Sequence, residues 1–183
     1  MQNARRHYSL DDYFDIEEMS DVRHEYFDGE IYAMAGGTRD HNQISQNVSR
    51  AFDALRPRGR SYIAEVRLKT PSGLYTYPDV MLICGEAILT PDRLETLTNP
   101  LVLAEVLSAS TGDYDRGLKG DSYQDIPTLR DYLLIDQYVV NVEHRSLRDG
   151  RWHSSRHESL KDAIALAGAP LELSLSAIYE LVH

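Results

Sequence analysis

The chain has 183 residues, of which 42% are apolar and 26% charged, so a single hydrophobic core is expected and neither a disordered nor a fibrous chain fits. Its 19 Lys and Arg face 29 Asp and Glu, a formal charge of −10, which argues against a surface built to attract polyanions; the only basic tracts are Arg5-Arg6 and Arg56-Pro57-Arg58-Gly59-Arg60. No apolar run approaches the roughly 18 residues of a membrane span, and the first thirty residues are charged and aromatic, so a cytoplasmic protein without a membrane segment is expected.

Ser9, with Asp12 three residues on, reads as the cap of a short helix ending near Met19, and Tyr8 is placed to staple against Tyr13. Asp28-Gly29 sits between His24-Glu25-Tyr26-Phe27 and Glu30-Ile31-Tyr32-Ala33-Met34, which predicts a tight β-hairpin. Ile44, Val48, Phe52 and Leu55 recur at helical spacing from Thr38 until Pro57, giving the first long helix. Three strands are expected next, Ser61 to Leu68, Leu74 to Cys84 and Leu101 to Leu107, with Pro71-Ser72-Gly73 turning the first into the second. The lone cysteine, Cys84, ends an apolar run and reads as a buried structural thiol. A helix from about Asp113 to Gln124 leads to an apolar strand, Tyr132 to Ile135, and strand–helix–strand argues a parallel crossover. Val139 to Arg145 and Arg151 to Ser155 flank Asp149-Gly150 as a second hairpin, and Ser174 to Val182 reads as a terminal helix. His153 and His157 fall on this hairpin as surface residues. No linker divides the chain, so one α/β domain over residues 1–183 is expected.

One residue stands out against this pattern. Glu105 lies in Leu101-Val102-Leu103-Ala104-Glu105-Val106-Leu107, a run apolar on both faces and therefore central in a sheet, where an unpartnered carboxylate is costly. Asp79 follows Pro78 in the preceding strand, 105 − 79 = 26 residues earlier, so neighbouring strands can bring the two acids to one edge. Hard cations such as Mg²⁺ or Mn²⁺ take one or two protein carboxylates and keep several waters, so the pair outlines a metal site. An ammonium beside such a site can steady an attacking water or a phosphate in transit. Lys119 is the candidate, because Asp115, Lys119 and Tyr123 share one face of the following helix.

Pro78-Asp79 and a glutamate on an apolar strand, in the order helix, strand, strand, strand, helix, strand, resemble the PD-(D/E)xK restriction-endonuclease-like superfamily. Tyr26-Phe27-Asp28-Gly29-Glu30, Glu105-Val106-Leu107-Ser108, Ser110-Thr111, Tyr114-Asp115-Arg116 with Lys119 and Tyr123, and Tyr132 to Asp136 are similar to the Uma-type family of endonucleases. The resemblance covers about Tyr8 to Asp136. It implies a mixed-sheet α/β fold, with an N-terminal helix and hairpin and a C-terminal hairpin and helix around the shared core. It further implies Asp79, Glu105 and the Val106 carbonyl as metal ligands, Lys119 as the catalytic lysine, Glu25 as a further catalytic residue and His41 in support. Implied with it are a nucleic-acid substrate, DNA before RNA, and a homodimer. Two departures matter: Leu107 stands where the superfamily carries its lysine, and Ala109 where a proline is expected after Ser108. Two rivals follow from the acidic charge and the missing strand lysine, namely a non-catalytic binding member of the same fold and a hydrolase of a small phosphorylated compound. The twelve tyrosines fit packing against strand neighbours as well as stacking on bases, so their number alone assigns no role.

Overall fold

The computed structural model describes residues 7–109 and 111–182, so Arg5-Arg6 and Ser110 of the family-like motif lie outside the described residues. Helix α1 (Leu10–Met19) opens with a complete capping box, in which the Ser9 hydroxyl accepts from Asp12 N and the Asp12 carboxylate accepts from Ser9 N. Strands β1 (His24–Phe27) and β2 (Glu30–Ala33) form the expected hairpin. Its Asp28 and Gly29 both adopt positive φ, 47° and 79°, the conformation that makes Asp-Gly a hairpin turn. Helix α2 (Arg39–Phe52) starts where the Thr38 hydroxyl caps His41 N, and buries Ile44, Val48 and Phe52 at successive turns.

The stretch expected to hold two long strands is cut into four pieces. Strands β3 (Gly59–Ile63), β4 (Arg67–Lys69), β5 (Tyr75–Thr76) and β6 (Val80–Cys84) are separated by a bend at Ala64 and by the Tyr77-Pro78 segment. The two breaks lie opposite each other. Ala64 takes φ 43° and donates its N–H to the Pro78 and Asp79 carbonyls, while Pro78 has no N–H with which to continue a ladder. The halves therefore enter different sheets, β3 and β6 one, β4 and β5 another, an outcome that apolar content alone does not signal. A further short strand, β7 (Thr96–Leu97), pairs in parallel with β4 from a stretch where the sequence reading placed no strand.

Strand β8 (Val102–Leu107) is buried throughout and sits centrally in a six-stranded sheet that runs, in order, β11 (Arg151–His157), β10 (Val142–Arg148), β9 (Asp131–Asp136), β8, β6, β3. It runs parallel to β9 (Asp131–Asp136), and the connecting segment carries α3 (Gly112–Tyr114), a turn over Asp115–Lys119 kinked at Gly117 and α4 (Gly120–Gln124), so the crossover expected from the sequence is present. Strands β10 (Val142–Arg148) and β11 (Arg151–His157) complete this sheet as a hairpin, with His153 exposed and His157 half-buried. The small sheet has the order β2-β1-β5-β4-β7. A two-stranded ribbon of β12 (Ala163–Ala165) and β13 (Glu172–Ser174) precedes α5 (Leu175–Ile178). That last helix is shorter than the expected Ser174 to Val182. Ser174 does cap it, but Asn47 takes the Ile178 and Glu180 carbonyls with its side-chain amide and ends it after one turn.

The six-stranded sheet is covered on both faces. On one, α2, the ribbon and α5 pack over Val80, Leu82, Val102, Ala104, Leu133 and Ile135. On the other, Met81, Ile83, Leu103, Leu107 and Leu134 meet Tyr123 and Tyr132, together with Leu68, Leu74 and Leu97 of the small sheet. A separate aromatic cluster of Tyr13, Phe14, Tyr26 and Tyr75 joins α1 to the small sheet, with Tyr8 packed beside it. Cys84 corrects the expectation of a buried thiol: it closes β6 opposite Gly59, where the missing side chain leaves it exposed.

Candidate active site

The register Val80↔Ala104 between β6 and β8 places Asp79, just before β6, beside Glu105. Both belong to the face that also carries Met81 and Leu103, because alternate strand residues share a side. The contact is made twice over: Asp79 N donates to Glu105 Oε2 at 3.3 Å, and Val106 N donates to Asp79 Oδ2 at 2.7 Å. Tyr123, buried on α4, donates its hydroxyl to Glu105 Oε1 at 2.7 Å.

Lys119 reaches the pair from the helical segment. Its Nζ lies 3.0 Å from Glu105 Oε1, 3.1 Å from Glu25 Oε1 and 3.6 Å from Asp115 Oδ1, and the residue is only 4% exposed. Residues spaced by four drift by about 40° per step round an ideal α-helix. A kink at Gly117, which stands outside helical conformation (φ −91°, ψ −108°), interrupts the ideal helix, and Asp115, Lys119 and Tyr123 are all buried on the segment it bends. Position 107, where the superfamily carries its lysine, is instead a core leucine packed with Tyr123 and Tyr132.

Glu25 enters from the small sheet, held by a hydrogen bond from the Thr76 hydroxyl as well as by Lys119. His41, in the first turn of α2, sets Nε2 3.1 Å from Asp79 Oδ2. All five residues named from the sequence, together with Val106, thus line one cavity of about 850 Å³, between the β1–β2 hairpin, the start of α2 and the end of β8. Sequence reasoning assigned no site role to Asp115, Tyr123 or Thr76. The i, i+4 and i+8 spacing around Lys119 carried a signal for the first two; Thr76, a buried threonine in a two-residue strand, offered none.

The charges are unbalanced. Glu25, Asp79, Glu105 and Asp115 face one ammonium, Lys119, and one imidazole, His41. Burial raises the Glu105 carboxyl well above the usual carboxylate range; Lys119 opposes that rise, and the nearby Asp79 and Asp115 charges add to it. Asp115 is raised as well, again chiefly by burial. Burial works against the charge on Lys119, but Glu105, Tyr123, Glu25 and Asp115 outweigh it and hold the ammonium protonated. His41 stands above its ordinary value for a similar reason, its burial being overcome by the bond to Asp79 and the charges of Asp79 and Asp115.

Among the described residues, no three His, Cys, Asp or Glu side chains converge into an all-protein metal cage. Two hard carboxylates in a negatively charged, solvent-reached cavity do fit a cation that keeps much of its water shell, and a cation there would relieve the repulsion that lifts Glu105.

The site sits on a mixed-sheet α/β fold. The whole shape matches a crystal structure from Anabaena variabilis described as "a putative nuclease belonging to DUF820", with a TM-score of 0.74 over 96% of this chain and 99% of that one, at 13% identity. The chain belongs to the Uma2 family, described as "Putative restriction endonuclease", whose profile matches residues 10–177. Two Synechocystis sp. proteins are similar in sequence. One, sll1609, is 38% identical over 146 residues, 77% of this chain and 82% of its own; the other, slr1290, is 36% identical over 177 residues, 93% and 90% respectively. No helix among the described residues is long and apolar enough to cross a membrane.

Proposed function

We propose that the protein is a divalent-metal-dependent endonuclease that hydrolyses a phosphodiester of nucleic acid, DNA before RNA. The observation that carries this reading is the meeting of Asp79, Glu105 and Lys119 at the wall of an open cavity, with Lys119 Nζ 3.0 Å from Glu105. Asp79 and Glu105 would hold Mg²⁺ or Mn²⁺, with the Val106 carbonyl as a third ligand. When bound, the ion supplies charge neutralisation at the phosphate and lowers the pKa of a water.

The chain's own groups do the rest. Lys119, kept charged in a buried position, donates to the attacking water or to a phosphate oxygen as negative charge accumulates. Glu25 and Asp115 aim the ammonium, and Tyr123 fixes the Glu105 rotamer so that its other oxygen can face the ion. His41 anchors Asp79.

The test is cleavage of plasmid and single-stranded DNA with Mg²⁺ or Mn²⁺, comparing the wild type with Asp79→Ala and Glu105→Ala. Cleavage is expected to vanish in both variants, and activity that survives both substitutions rules the reading out. A non-catalytic member of the fold is the second reading, favoured by the complete engagement of Lys119 with three carboxylates. Calorimetry with Mg²⁺ separates the two, since metal-binding heat that disappears in Glu105→Ala supports the nuclease and no heat at all supports the rival.

A further inference from the structure

Seven of the twelve tyrosines, Tyr13, Tyr26, Tyr75, Tyr77, Tyr123, Tyr132 and Tyr179, are buried, and three more are half-buried. The two that are exposed, Tyr32 at 49% and Tyr138 at 57%, both line the cavity that holds Asp79 and Glu105. Every phenylalanine and the one tryptophan are buried or half-buried, so these two rings are the exposed Tyr, Phe and Trp side chains of the protein.

Neither ring is placed by a loose segment. Tyr32 pairs across the hairpin with Glu25, and paired residues project to the same side, so its ring stands next to the carboxylate that holds Lys119. Tyr138 sits in a turn fixed from both ends: Asp136 Oδ1 accepts from Tyr138 N at 2.8 Å and Val139 N at 3.2 Å, while the Tyr179 hydroxyl donates to the Asp136 and Val139 carbonyls. Gln137, beside it, is buried and bonded to Thr38 and to the Leu107 carbonyl. That much scaffolding beneath an exposed aromatic ring holds it ready for a partner.

The two rings say which partner. Among the described lining residues, Lys119 is the one Lys or Arg, and it is buried against three carboxylates. A duplex hides its base faces in its own stack and is held mostly through its phosphates, so it offers these two rings nothing to stack on. An unpaired nucleotide offers a base face instead, and stacking on an aromatic ring is sequence-tolerant and adds to what the phosphate contacts supply.

We infer that the substrate is single-stranded nucleic acid, with Tyr32 and Tyr138 stacking on unpaired bases that flank the scissile phosphate. This rests on the reading of the cavity as a phosphodiesterase site and narrows it to one substrate class. Tyr32 and Tyr138 act as positioning residues for bases, apart from the groups that handle the phosphate.

The test is fluorescence anisotropy with a fluorescein-labelled oligothymidylate, alone and annealed to its complement, in Ca²⁺ so that binding is read without turnover. The single strand is expected to bind at least about fivefold more tightly than the duplex, the low end of one stacking contact. Tyr32→Ala and Tyr138→Ala should each weaken single-strand binding by about fivefold or more, with melting temperatures unchanged, and Tyr138→Phe should restore it because the ring rather than the hydroxyl is used. Duplex bound as tightly as single strand, no binding of either, or alanine variants that bind like the wild type overturns the inference. The two readings fail separately. Tyrosine-dependent binding of single strands without Mg²⁺-dependent cleavage sinks the nuclease and leaves the cavity a single-strand-binding site, whereas cleavage indifferent to both tyrosines keeps the nuclease and overturns this inference.

Discussion

Two buried carboxylates occupy adjacent strands of the same sheet and have opposite surroundings. Asp131, at the start of β9, is fully enclosed, and its oxygens are used by His144 Nε2 at 2.8 Å and by the backbone N–H groups of Ala167 and Gly168, each at 2.8 Å. Glu105, on β8, is nearly as buried but shares a cavity wall with three other acids and one lysine. The first is a closed account, pinning the 167–168 turn to the sheet. The second leaves negative charge over, in a place that solvent and ligand can reach. Burial of a carboxylate alone therefore separates nothing; what separates a staple from a candidate site is whether its partners satisfy it.

Substitution of Asp131 by Ala strands His144 and two backbone donors in the core, and should cost about 3–5 kcal/mol in urea unfolding, with no change in cleavage well below the melting temperature. A loss of Mg²⁺-dependent activity in folded Asp131→Ala would break the contrast. Lys119→Met is expected to destabilise by about 3 kcal/mol, because Glu25, Glu105 and Asp115 lose their shared counter-charge, and to abolish cleavage as well. Here Mg²⁺ should recover part of the lost stability, an effect that thermal melts with and without the ion would show and that Asp131→Ala should lack.

In the wild type, Mg²⁺ at ten times its Kd should add about 1.4 kcal/mol. The corresponding rise of a few degrees in melting temperature should disappear in Glu105→Gln. The smallest effect concerns a third carboxylate, Glu17, which is buried and satisfied by His24 and by the Tyr77 hydroxyl. Burial first, then this bond to Glu17, pushes Tyr77 up to about 12 from its ordinary 10. The folded protein keeps that proton where the unfolded chain releases it, so the stability it contributes is complete below pH 10 and lost as pH rises towards 12. Tyr77→Phe should flatten that part of the alkaline unfolding profile, and equal slopes in the two proteins would show that the group does not titrate as described.

The sequence made the core of this arrangement legible because its signals were local. An acid in an all-apolar strand, an Asp-Gly turn, a capping box and a lysine one helical turn from an aspartate each act over a few residues, and each recurs in the structure. What stayed hidden depended on partners distant in the chain. The split of the long strands at Ala64 and Pro78 shows only when the two breaks are seen side by side, and β7 exists because β4 lies next to it. The early end of α5 is set by Asn47, more than a hundred residues upstream. Cys84 misled for a related reason, since its exposure depends on a glycine across the ladder rather than on its own apolar neighbours.

The fork at Ala64 and Pro78 has a mechanical consequence. Above it, Glu25 and Tyr32 ride on the small sheet; below it, Asp79 and Glu105 ride on the large one, so the gap between them is the gap between two leaves joined at a seam. Lys119 bridges both leaves through Glu25 and Glu105, which makes one ammonium the clasp of the jaws.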